Sequence, residues 1–460
     1  MKTESHRTGL NPMGLSVEYR VVIGMLVWLG LLSIGSVFVS LPYFSEASAA
    51  AAVAYGHVMY LHGLLIGMVG LLALVAMDVF QCQHRGLRSL VLWGTLGATV
   101  LSGVGGIFDR SVHDSVALWI QIASFMFLDE ILVTLTVSLF IRARATGQLT
   151  AWVGTAAAAS AFLAAIMGHL AGWLIEFGAW PPALTAYAHF MGVSVATWTG
   201  FLVTSHSHEM VAAVLALLAA TLVAGFTHRE AATLGPWVRI GLWDALAGTV
   251  LMTLIYVVAG FTQAQPPTLF ASGPHGINGI AGDDLVTGLG VMLGGTLALV
   301  GVALEKLEDA PARWASAAFS AMILVTVVVV GYYIELHETV FGAGAAAPGS
   351  AADAVFTFWH QDFAFFIVPS VMVLLQIVHR MVHEVRDRVR ITALSIAGGG
   401  VAFLGGLGYV LTDPSRFGPA FWVTALGFAL ILLALVDTIR ALLASAQAGH
   451  PVGTSALGSG

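Results

Sequence analysis

From residue 18 to residue 443 the chain is a succession of apolar runs, each about twenty residues or longer, joined by short polar connections. A helix needs about 20 apolar residues to cross the hydrocarbon core of a bilayer. Only helices and closed barrels satisfy their backbone groups there. The runs lie at about 18–41, 56–82, 89–108, 116–141, 150–175, 184–227, 238–262, 283–304, 314–335, 355–378, 391–411 and 420–443. Hydrophobic residues make up 58% of the chain and charged residues 9%, whereas soluble domains carry roughly 25% charged residues. An ordinary soluble protein is excluded. The expectation is an all-α polytopic membrane protein, with a cytoplasmic tail at 1–17, a membrane domain at 18–443 and a flexible Ala/Gly tail at 444–460. The first seventeen residues hold no apolar core of a secretory leader, so no cleavable signal is expected.

One run is ambiguous. The 44 residues of 184–227 would extend about 66 Å as a single helix, enough for two crossings or for one with an added segment. Charge separates these, because Lys and Arg collect in cytoplasmic loops. With one crossing there are twelve spans and both termini lie inside. Sixteen of the 18 basic residues then face inward, and only Arg110 and Arg416 face outward. With two crossings the split becomes 8 inside to 10 outside. Twelve transmembrane helices are therefore expected, in a bacterial-type inner (plasma) membrane. The first part of 184–227 is either an outer interfacial segment or an oblique extension of the sixth span. Gly342–Ala352 reads as a flexible insertion in an outer loop.

A formal net charge of −7 offers nothing to a nucleic acid. Cys82 stands alone, so there is neither an internal disulfide nor a thiolate metal site. The sixteen histidines are more informative, since imidazole in a membrane is costly and marks function. His57 and His62 fall in the outer third of the second span, His206 and His208 near the outer end of the sixth, and His360 about five residues into the tenth. Three spans thus place imidazoles at one depth, a set able to ligate haem or copper. His57 and His62 are about 140° apart around a helix, and His206 and His208 point in nearly opposite directions. Each could equally be a satisfied interfacial residue. His84, His228, His379 and His383 fall in inner loops, and His169 and His189 read as structural.

Membrane acids form a second set. Asp129 and Glu130 lie inside the fourth span, Asp244 in the seventh, and Asp283–Asp284 open the eighth. Carboxylates at such depth suggest a proton path or a cation site, carried foremost by Asp129 and Glu130. For Asp283–Asp284 a helix N-terminus is the plainer reading.

Twelve spans with histidines on the second, sixth and tenth resemble the catalytic subunit I of the haem–copper oxidases and nitric oxide reductases. "YLHGLLIGMVG" around His62 looks like the family's helix with a low-spin haem ligand. "TSHSHEMVAAVLALLAATLVAGF" occupies the place of its copper-ligating histidine, and "HETVF" followed by "FWHQDFAFF" looks like its His-Asp-Thr loop and His-x-His haem ligands. The resemblance covers about residues 18–443 and implies a cytochrome oxidase subunit I-like bundle.

The departures are specific. The family's adjacent His pair on the seventh helix is replaced by Thr262–Gln263, and the tyrosine that follows the sixth-helix histidine in the oxidases is missing. On the tenth span His360 is followed by Gln361 and Asp362, so one histidine of the His-x-His pair is gone. His360 matches either the first or the second of that pair. In the second register it joins His62 across one bis-histidine haem b, the arrangement that needs only residues present. Trp359, Phe358, Phe363, Phe365 and Phe366 would line the pocket, and Arg110 and Arg416 could meet haem propionates.

The resemblance implies a membrane oxidoreductase subunit holding one or two haem b groups, transferring electrons and able in principle to reduce O2 or NO. Copper or another metal at a modified second site would rest on His206 and His208. Electrons would come from quinol or a donor subunit, with membrane lipid as the surroundings. The competing expectations are a proton- or cation-coupled secondary transporter and a non-catalytic paralogue of the same fold.

Overall fold

The structure is a computed structural model that describes residues 17–45, 50–82, 84–112, 115–177, 182–227, 233–262, 287–305, 310–330, 363–411 and 418–447. Among these residues every regular element is a helix. In chain order they are α1 (Val17–Ser45), α2 (Ala50–Val79), α3 (Arg85–Val112), α4 (Ser115–Thr146), α5 (Leu149–Phe177), α6 (Pro182–Phe190) and α7 (Val195–Thr227). There follow α8 (Pro236–Thr262), α9 (Leu293–Leu304, entered through a π-turn at Thr287–Met292), α10 (Ala310–Val325, leaving through a π-turn at Thr326–Val330), α11 (Val368–Met381), α12 (Val385–Leu411) and α13 (Pro419–Gln447). Among the described residues ten helices are long and apolar enough to cross a membrane, and two shorter apolar stretches lie at Tyr19–Ile34 and Gly288–Leu304. The chain is a multi-pass helical membrane protein.

The long ambiguous run resolves into two helices, and the break has a local cause. Gly192 adopts φ +77°, the left-handed conformation that glycine enters without steric cost. The amide of Gly192 donates to the His189 carbonyl and that of Val193 to the Ala188 carbonyl, at 3.0 and 3.1 Å. This is the Schellman pattern that ends a helix. Ser194 then caps the next one, its hydroxyl accepting from the Thr197 amide at 3.0 Å. Tyr187 ties the short helix α6 to α8 by donating to the Phe261 carbonyl at 2.5 Å, and its ring rests on the buried Trp198. The α4–α5 connection is tighter still. Gly147, at φ +68°, donates to Ala143 O at 2.8 Å and closes α4.

Lipid offers no hydrophobic drive between helices, so packing in a membrane relies on small residues that bring backbones close. Here α8 and α9 meet through Gly241, Gly294 and Ala298. Gly248 packs on Gly290 in the π-turn, where a Cβ added at Gly248 would stand 2.7 Å from the Gly290 Cα. The α12–α13 crossing uses Gly398, Gly405, Gly427 and Ala402 in the same way. Between α2 and α3, Gly63, Gly67 and Gly70 receive Gly103, Thr99 and Thr95. Trp28 of α1 lies over Gly103 and donates its indole N–H to the Thr99 carbonyl at 3.1 Å.

Contacts between helix ends gather the ends of α2, α4, α7, α9, α11 and α13 with the starts of α1, α3, α5, α8, α10 and α12 on one face. This face is rich in arginine. Arg313 is buried there, and its Nη1 donates to the carbonyls of Val302 and Glu305 at 2.8 and 2.5 Å, closing the end of α9. Arg390 donates to Asp437 at 2.9 Å and joins α12 to α13. The element ends differ modestly from the sequence expectation. α13 runs to Gln447, so the first four residues assigned to the flexible tail are helical.

Cys82 lies on the same face, just beyond α2. Burial pushes its thiol up to about 11, against the opposing pull of the Arg142 guanidinium. The thiolate is the reactive form, so the folded protein should react with iodoacetamide at pH 8 about 100-fold more slowly than an exposed cysteine. The rate should climb as pH rises toward 11. Mass-spectrometric labelling of folded and urea-unfolded protein tests this, and equal rates in the two states would contradict it.

Candidate functional site

The imidazoles expected to share a depth can be placed by counting along their helices. His62 lies 17 residues from the arginine-face end of α2, His206 21 from that of α7, and His169 20 from that of α5. At 1.5 Å per residue these are heights of about 25–32 Å. Asp129, 17 residues from the end of α4, falls in the same layer.

Within the layer His62 and His206 come together. Their rings lie 23° from parallel with centroids 6.4 Å apart. Phe125 of α4 meets the His62 ring edge-on at 6.4 Å and lies 5.2 Å from the ring of His169. His169 is no isolated structural residue: its Nδ1 stands 3.2 Å from Asp129 Oδ2. One continuous cluster therefore runs Asp129, His169, Phe125, His62, His206 across α2, α4, α5 and α7.

Two of these imidazoles have their tautomer fixed by a partner. His206 Nδ1 is 2.8 Å from the Ala164 carbonyl of α5. A carbonyl only accepts, so Nδ1 carries the proton and Nε2 keeps its lone pair. Asp129 orients His169 in the same manner. A backbone carbonyl or carboxylate behind an imidazole is the arrangement that fixes metal-ligating histidines. Gly168 makes it possible for His206, because a Cβ there would stand 2.5 Å from the His206 Nδ1.

His208 faces another way. Its ring stacks on Tyr256 of α8, with centroids 5.8 Å apart and planes 23° from parallel. The structure thus separates His206 and His208, two positions apart on α7, as helix geometry requires. They do not form one metal pair. Among the described residues no group of three or more His, Cys, Asp or Glu is arranged to hold a metal ion.

Next to His208, Glu209 is fully buried. The Ser160 hydroxyl of α5 donates to its Oε1 at 3.1 Å, and Thr253 of α8 donates to Ser160 at 2.7 Å. Its Oε2 has no hydrogen-bond partner among the described residues. A carboxylate at such depth needs a proton or a cation to balance it. In the sequence Glu209 stands singly beside His208, whereas Asp129 and Glu130 stand out as an adjacent pair. Glu130 is half-buried beside Asp129, and Asp244 is half-buried on α8.

His360, Trp359, Phe358, Arg416, Gln263 and Asp283–Asp284 lie outside the described residues, as do the side chains of His57, Arg110 and Thr262. Phe363 is buried, its ring 6.5 Å from that of Phe403 and 6.4 Å from that of Phe428. It therefore packs between α12 and α13. His379, expected in a loop, belongs to the last turn of α11 and lies 5.8 Å from Phe226. No family model, no curated protein and no solved structure matches the chain.

Proposed function

We propose that the chain is a redox membrane protein, a haem b-binding oxidoreductase subunit of the haem–copper oxidase and nitric oxide reductase type. In this reading its redox group is held in the imidazole layer of α2, α5 and α7. The observation that carries it is the near-parallel pair His62 and His206. His62 and His206 are the residues that would hold such a group, and it would supply one-electron redox chemistry there. The pair stands at 6.4 Å, and the Ala164 carbonyl leaves His206 Nε2 as a donor. Both residues are imidazoles at one height on neighbouring helices, which supports the reading. His62 is the constant ligand of the proposal; His206 is the partner that the described residues supply, and His360 is the partner that the family resemblance suggests.

The reading counts the ten long helices and the two shorter apolar ones as twelve spans, and takes the arginine face as cytoplasmic by the positive-inside rule. Held by His62 and a second histidine, a haem would supply one-electron transfer. The chain's own part is to exclude water with Phe125 and the closely packed helices, to hold the His206 tautomer through Ala164, and to balance charge with Asp129 and Glu209. The loss of the family's histidine pair at Thr262–Gln263 favours electron transfer over full oxygen reduction.

A second reading rests on Glu209. A buried acid joined to Ser160 and Thr253 suits a proton- or cation-coupled transporter. Two variants separate the readings. His62→Ala should abolish the low-spin haem bands of the dithionite-reduced protein, and an unchanged spectrum in that variant would refute the assignment. If instead Glu209→Gln abolishes proton-driven uptake by a protein carrying no haem, the transporter reading takes its place.

A further inference from the structure

Near the middle of α4 stand two adjacent acids, Asp129 and Glu130. Successive residues on a helix point about 100° apart, and the two have different surroundings. Asp129 turns to the imidazole layer, where His169 Nδ1 lies 3.2 Å from its carboxylate. Glu130 has no ion-pair or hydrogen-bond partner among the described residues. It is half-buried, with Met126 one turn before it and Val133 and Val137 one and two turns after it. Those three are 68%, 41% and 45% exposed and share its side of the helix. The opposite side of α4, at Leu128, Ile131, Leu132 and Leu135, is buried. Glu130 therefore sits on the outward apolar face of α4.

Its depth makes that placement costly. Arg142 lies 12 residues away toward the arginine face, and the exposed Trp119 lies 11 residues the other way. These are about 18 and 16 Å along the helix. The hydrocarbon core is about 30 Å thick, so Glu130 stands near its middle, and its side chain is too short to reach either headgroup layer. Acids inside a membrane almost always turn to the bundle interior or to a partner of opposite charge. Even protonated, the carboxyl would leave polar atoms unmet in lipid.

We propose that this face of α4 is a docking site for a transmembrane helix of a partner subunit that carries a lysine or arginine at mid-membrane. The cation pairs with Glu130, and the partner helix packs along Met126, Val133 and Val137. Lipid supplies no cation at that depth. A second copy of this chain, docked by the same face, would set Glu130 against Glu130. The face lies outside the imidazole layer, and the proposal does not depend on which redox group, if any, that layer holds.

The test places the full-length protein in phosphatidylcholine vesicles with a fluorescent single-span peptide of leucine and alanine bearing one central lysine. Energy transfer from a dye on the protein's C-terminal tail reports association. The lysine peptide should associate, and Glu130→Gln should weaken that association about tenfold. Replacing the peptide's lysine by leucine should weaken it to the same extent, a comparison that needs no variant of the protein. Asp244→Asn, which neutralises the half-buried acid of α8, should leave it unchanged. No association of the lysine peptide with the unaltered protein would overturn the proposal. So would equal association of the leucine peptide, an undiminished signal in Glu130→Gln, or a loss in Asp244→Asn as large as that in Glu130→Gln.

Discussion

Gly241→Ala is expected to remove most of the folded protein, although it adds a single methyl group. The new Cβ would collide with the Gly294 carbonyl oxygen and stand 2.5 Å from the Ala298 amide nitrogen and 3.0 Å from its Cα. These are backbone atoms of α9, and no side-chain rotation can clear them. Relief requires α8 and α9 to separate, which also disturbs Gly248 against Gly290 further along the same seam. Overpacking costs about 1–3 kcal/mol and sometimes more, a large part of a typical stability of about 5–15 kcal/mol. Gly24→Ala is the matched control. Nothing lies within 4 Å of its added Cβ, and alanine is the better helix former by roughly 0.5–1 kcal/mol. The yield of monodisperse protein after detergent extraction should fall sharply for the first variant and hold for the second. Equal yields would contradict the close α8–α9 seam.

Gly168→Val should act on the site first. A Cβ there already meets the His206 ring, whose Nδ1 would stand 2.5 Å away, rather than backbone. The ring must turn away, and its hydrogen bond to the Ala164 carbonyl is lost with it. Losing such an orienting partner typically costs about 10–100-fold in metal affinity. The proposed haem should accordingly dissociate from Gly168→Val as it does from His206→Ala. If the redox group stays fully bound in both variants while His62→Ala releases it, His206 is not its ligand and the partner of His62 lies elsewhere.

That the chain is a multi-pass helical membrane protein could be read from the residues because lipid imposes it directly. Apolar run length marked the spans, and arginine placement favoured one crossing in 184–227. The break at Gly192 was equally present in the string, as a glycine followed by Ser194-x-x-Thr197. It was hidden by the unbroken hydrophobicity around it, which drew attention to length and away from capping. The His169–Asp129 contact needed one more step. Gly147 turns α4 back on α5, and the two residues lie 22 and 18 positions from it, so a tight hairpin brings them to one height. Treating His169 alone missed this.

Glu209 shows the limit more clearly. Its hydroxyl partners Ser160 and Thr253 come from α5 and α8, far apart in sequence and unremarkable in composition. Which face of α7 meets those helices is decided by tertiary packing. The same holds for His62 and His206. Each could be assigned a depth from its own helix, but that their rings lie side by side depends on α2 and α7 being neighbours around Phe125.

The central claim is that the imidazole layer holds a redox group, and an optical spectrum of the purified full-length protein tests it most directly. The sample is reduced with dithionite and recorded with and without carbon monoxide. A group with both axial positions filled by histidine predicts sharp reduced haem b bands that carbon monoxide does not move. A preparation of folded protein without haem absorption would contradict the claim and leave the buried acid Glu209, with a transport role, as the better account of this membrane site.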